Sequence, residues 1–175
     1  MSVYRDAAHA ISRIMSIETI DSTKGAGWQK RYQAGFPESR SGGEGLTPEE
    51  RLTQDSMTRA ALHGALTAMA WQVLVAKYSV NDIEVRDAVQ WLIPRVQCPA
   101  HHLFKMKCVT AWAIPRRMPA GFYVLHTWDA DGTPEGTLRR WRAVTKRWLE
   151  DRVDEAFAQA ELVLVEQGVI QSAAA

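Results

Sequence analysis

What this 175-residue chain lacks narrows its function first. It has no run of about 18 apolar residues, so no segment reads as a membrane-spanning helix. Its N-terminus lacks the continuous apolar stretch of a secretory signal. Cysteine is scarce. Cys98 and Cys108 are the only two, too few for a disulfide framework, and they fit a cytoplasmic protein with reduced thiols. There is no phosphate-cradling glycine loop, no G-x-S-x-G elbow and no H-E-x-x-H pair. The clustered carboxylates Glu49/Glu50 and Asp151/Asp154/Glu155 fall at helix starts or on exposed faces. We therefore expect no enzymatic activity and no cofactor.

The chain also lacks a strong overall charge, and a net +1 argues against a generally polyanionic partner. The charge is uneven, however. Residues 1–100 hold 11 Lys/Arg and 11 Asp/Glu, residues 101–150 hold 9 against 4, and residues 151–175 hold 1 against 5. A basic block inside a neutral chain reads as a local anion-binding surface. A hydrophobic content of 46% and seven tryptophans are enough for a real core. The length suits one domain, or one domain with an appendage.

Periodicity predicts a mainly α fold. Residues 2–17 carry an apolar stripe through Val3, Ala7, Ala10, Ile11 and Ile14. Residues 21–45 are broken by Gly25, Gly27, Gly35, Pro37, Gly42, Gly43 and Gly45. They read as an irregular arm bearing Trp28, Tyr32, Phe36, Lys30, Arg31 and Arg40. We thus divide the chain into 1–45, an N-terminal helix and arm, and 46–170, a helical domain closed by a packing helix. Thr47 and Glu50 form a capping box for a helix that continues through Ala70 into Trp71–Tyr78, with Gly64 or Thr67 as the place where it could break. Further helices are expected at 82–93 with Ile83 inward, and at 101–113. The run Phe122–Trp128 has strong β propensity and reads as a wing-like extended segment or a short buried helix. The last helix should run from Thr133 to about Gln167, with Gly168 as its stop signal. Its apolar stripe is expected to shift by about 100° after Trp148. The second stripe, within 149–164, would then cover the N-terminal helix or a second subunit.

Residues 131–149 point most directly to function. Thr133 is placed as the helix cap, Pro134 as its first residue and Glu135 at the positive end of the dipole. Thr137, Leu138, Trp141, Val144, Thr145 and Trp148 fall on the face expected to be buried. Arg139, Arg140, Arg142, Lys146 and Arg147 fall on the other, and we expect them to go unpaired along the helix. A short basic helix anchored by aromatics is what major-groove recognition requires. The plainer alternative is the solvated face of an ordinary amphipathic helix. Read as a recognition helix, the contact set is Thr133, Glu135, Thr137, Arg139, Arg140, Arg142, Lys146 and Arg147. Arg139 and Arg142 are assigned to base edges, and Arg140, Lys146 and Arg147 to phosphate.

Cys98, His101, His102 and Cys108 are the best metal candidates, with His126 as a further ligand. Their spacing, C-x2-H-H-x5-C, matches no standard zinc pattern. The reading preferred here is a buried Cys108 with loop histidines and no metal.

The run from Gly132 to Trp141, GTPEGTLRRW, resembles the second half of a helix-turn-helix of the kind found in region 4 of bacterial sigma factors. Upstream, Trp71–Ser79 looks like the helix leading into such a unit, as in phage late-gene antiterminators of the Q type. The resemblance covers about residues 60–155. It departs from the pattern in one respect: about twenty residues, not three or four, separate the helix ending near Trp112 from Thr133. The resemblance implies a transcription regulator that binds double-stranded DNA near a promoter and loads onto bacterial RNA polymerase. The competing reading is an adaptor or inhibitor of another protein, built on the aromatic arm and on the 149–164 stripe, with no DNA binding.

Overall fold

The computed structural model describes residues 3–17 and 47–171, and the arm expected at 21–45 falls outside them. Among the described residues six α-helices follow in order: α1 (Ala7–Met15), α2 (Pro48–Ala65), α3 (Ala68–Tyr78), α4 (Asp82–Leu92), α5 (His102–Ala113) and α6 (Glu135–Glu166). No strand occurs among the described residues.

Most helix starts are written locally. Asp6 caps α1 by accepting from His9 N at 2.7 Å. Thr47 and Glu50 close a reciprocal capping box at the start of α2, with Pro48 as its first residue. Thr67 caps α3 and Asn81 caps α4. Each side-chain oxygen meets a backbone N–H that has no partner within its own helix. Gly168 (φ 69°) ends α6 in the left-handed region that favours glycine, with Val169 N returning to Leu164 O at 3.1 Å. The Val169 carbonyl then accepts from Val3 N and Tyr4 N, joining the two ends of the described chain.

The main core brings α1, α3, α4 and the second half of α6 together around Ile11, Ile14, Leu74, Leu92, Leu149 and Leu164. Polar ties lock α2 onto it. The Tyr4 hydroxyl lies between Asp55 Oδ1 (2.8 Å) and Thr58 Oγ1 (3.1 Å), and Arg13 pairs with Asp55 at 2.8 Å. Arg59 donates to both Glu84 oxygens, at 2.8 and 2.7 Å, linking α2 to α4. A smaller cluster of Ala100, Phe104, Cys108, Leu125, Trp128 and Leu138 lies under the first half of α6.

Three local expectations are corrected. Of the two alternatives for residues 122–128 the wing is overturned and the short helix stands: 3-10 turns run over Ala120–Tyr123 and Leu125–Trp128. Trp128 packs edge-on to Phe104 with ring centres 5.6 Å apart and donates its indole N–H to Phe122 O at 2.7 Å. Burying that indole folds the β-prone run into turns.

The expected stripe shift in α6 is also absent. Leu138, Thr145, Leu149, Val153, Ala156, Ala160 and Leu164 are buried at steps of three, four or seven residues, which make one continuous seam. The indoles of Trp141 and Trp148 flank this seam, so a stripe centred on them was misplaced. The 149–164 stripe covers α1 and α3 of the same chain. Finally, Ile83 is 62% exposed. Two residues from Val85 is about 200° of turn, which puts it on the far side of α4 from Val85, Ala88, Val89 and Leu92.

Candidate nucleic-acid interface

The first four turns of α6 carry the basic run, and the segment before them sets their position. Gly132 (φ 73°) turns the chain. The Asp129 carboxylate then accepts from Thr133 N at 2.6 Å and from Thr133 Oγ1 at 3.1 Å. Thr133 therefore does not cap the helix. Pro134 occupies the cap position, without a side-chain cap bond, and its carbonyl accepts from Thr137 N (2.9 Å) and Leu138 N (3.2 Å). The helix begins one residue later than Thr-Pro-Glu suggests because Asp129 claims the threonine first.

Below, Leu138 and Trp141 rest on α5. Trp141 meets Phe104 edge-on at 5.8 Å, so Phe104 lies against both Trp128 and Trp141. The folded segment 120–128 thus acts as a prop for the basic helix. Cys108 is buried in the same seam, and burial pushes its thiol up to about 12, with the Arg142 guanidinium near enough to oppose that rise. Thr145 is 1% exposed beside it.

Outward, Glu135, Arg139, Arg140, Arg142, Lys146 and Arg147 are all exposed. Thr133 and Thr137 are half-buried at the edge. The cations do not all go unpaired: Glu135 stands four residues before Arg139 and pairs with it at 2.6 Å. Arg140, Arg142, Lys146 and Arg147 have no ion-pair partner among the described residues. Glu150, four residues after Lys146, instead binds Lys77 and the Trp112 indole N–H. One helix face thus presents a concentrated, mostly uncompensated positive charge. Val144, expected in the core, is 56% exposed between Arg140 and Arg147.

Sequence reasoning undervalued Tyr123. Its hydroxyl donates to Ile114 O at 2.6 Å and accepts from Arg117 N (3.1 Å) and Met118 N (3.0 Å). This clamp shapes the basic loop in which Arg116 takes φ 66°, and Arg117 pairs with Asp82 at 3.2 Å. A tyrosine six residues after an Arg-Arg pair was the only signal available.

The compact helix pair lies elsewhere. Three residues, Ser79, Val80 and Asn81, join α3 to α4, the spacing of a helix-turn-helix. Yet α4 exposes Asp82, Ile83, Arg86, Asp87 and Gln90, with no net positive charge. The basic helix follows two 3-10 turns instead. The four metal candidates do not converge on one point, although Cys98 packs against the cluster that holds Cys108. His101 Nδ1 accepts from Leu103 N at 3.4 Å as the cap of α5, His102 borders a groove between α4 and α5, and Cys108 is buried. Among the described residues, no group of three His, Cys, Asp or Glu side chains is placed to hold a metal ion. None of their helices is long and apolar enough to cross a membrane.

No protein-family model, curated protein or solved structure matches this chain.

Proposed function

We propose that the chain is a DNA-binding transcription regulator, of the kind the Q-type antiterminators represent, and that the first four turns of α6 lie against duplex DNA. The observation that supports this is the exposed set Arg139, Arg140, Arg142, Lys146 and Arg147, four of them without an ion-pair partner among the described residues. Lys and Arg displace counterions condensed on phosphates, so affinity should depend steeply on salt. Four unpaired cations predict a slope of log affinity against log salt of about −3 to −4. Fluorescence anisotropy on a 30-base-pair duplex tests this, alongside a variant with all five cations changed to Gln. The expected result is loss of binding in the variant. Equal binding by both proteins, or no binding by the natural chain at low salt, overturns the reading.

The same reading carries a contact with bacterial RNA polymerase. It is favoured by the apolar groove of about 400 Å³ between α4 and α5, lined by Val89, Ile93, Met106 and Ile114. Retention of purified bacterial RNA polymerase by the natural chain but not by a Val89→Asp/Ile114→Asp variant that still folds would support that contact. Equal retention would exclude the groove.

A further inference from the structure

Val144 has no evident role inside the chain. It is 56% exposed, and a β-branched residue there lowers helix propensity relative to alanine. Its neighbours on the helix surface are Arg140, one turn before, and Arg147, three residues after, both exposed. Around the axis these three fall within about 60° of one another, and their mean direction lies about 150° from the Leu138–Thr145–Leu149 seam. They span about 10 Å along the helix, comparable to three base-pair steps of about 3.4 Å.

The other cations are placed differently. Arg139 is tied to Glu135. Arg142 falls on one flank of the seam, about 40° from it. Lys146 falls on the same flank, between Arg139 and Arg142. Flank positions suit the phosphate walls of a groove, while the line facing away from the core suits its floor.

We propose that Arg140, Val144 and Arg147 are the specificity-determining residues of the interface and that they read a thymine flanked by guanines in the major groove. This rests on the DNA-binding reading. Arginine pairs with guanine O6 and N7, and a small apolar side chain contacts the C5-methyl group of thymine, the feature that distinguishes it from uracil. Assignment of base edges thereby moves from Arg139 and Arg142 to the neighbouring line.

The test enriches a randomised duplex pool with the full chain, then replaces each dT of the selected site by dU. One thymine should respond. Losing one methyl contact should weaken the natural chain about fourfold, and Val144→Ala should be insensitive to the same replacement. Arg140→Ala and Arg147→Ala should each relax the preference for one guanine, whereas Arg139→Ala/Arg142→Ala should weaken all duplexes alike. A site with no methyl-dependent thymine, or one whose preferences change only in the Arg139/Arg142 variant, overturns the proposal while DNA binding stands. So does salt-dependent binding without enrichment of any sequence. Absence of duplex binding removes both readings. Circular dichroism of the variants, all at exposed positions, confirms that they fold.

Discussion

Trp112 donates its indole N–H to Glu150 Oε1 across 3.0 Å, while Lys77 holds the other oxygen of the same carboxylate. Three helices, α3, α5 and α6, meet at this one side chain, just beyond the basic turns of α6. Burial alone would raise the Glu150 pKa, but Lys77 and Trp112 favour the charged form and hold it below the usual carboxylate range. A folded pKa below the unfolded value means the contribution is complete above the unfolded value and is lost as pH falls through the folded one. Glu150→Ala should cost roughly 1–2 kcal/mol at neutral pH, because the site is partly exposed and screened. Urea unfolding at pH 7 and at pH 3 checks this, with the difference between natural chain and variant shrinking in acid.

Tyr4 should matter to stability through its hydroxyl alone. Phenylalanine would keep the ring packing but leave buried Asp55 without the tyrosine donor, with Arg13 still paired. Tyr4→Phe should cost about 1–2 kcal/mol. The midpoint of urea unfolding at constant slope is the measurement.

Tyr123→Phe should act locally. It removes the acceptor of Arg117 N and Met118 N and the donor to Ile114 O. Hydrogen exchange at the Arg117 and Met118 amides should accelerate, while amides in α3 stay protected. Unchanged exchange at those two positions would mean that the clamp contributes little.

Thr145→Val should be neutral or stabilising by up to about 1 kcal/mol. The Thr145 hydroxyl is buried without an oxygen or nitrogen partner among the described residues and has the soft Cys108 thiol beside it. An isosteric apolar replacement removes that desolvation penalty. A shift in thermal midpoint reads it out, and a clear loss would show that the thiol is a real hydrogen-bond partner.

The start of α2 was legible because Glu50 lies three residues after Thr47, while α1, expected from residue 2, starts only at Ala7, because the Asp6 cap was hidden inside the apolar stripe. The Gly168 stop was legible as a local signal. Thr133 was misread because its partner, Asp129, precedes it, and a cap motif looks only forward. For residues 122–128 the sequence left a wing and a short buried helix open, because β propensity ignores the Phe104 ring on which Trp128 settles. The concentration of cations at 139–147 was visible in the sequence. Which of them point away from the core was not, since Thr145 sits in the seam and Val144 outside it.

By itself, then, the sequence determined a mainly helical chain with a basic run near its C-terminal end, because capping, periodicity and charge are local properties. Only the tertiary structure decided that a folded 3-10 segment props the basic helix in place of a tight turn. It also decided that α6 buries one continuous seam and that Arg140, Val144 and Arg147 stand exposed away from it. Those outcomes depend on which surfaces α5 and the 120–128 segment leave uncovered, and packing between distant residues sets that.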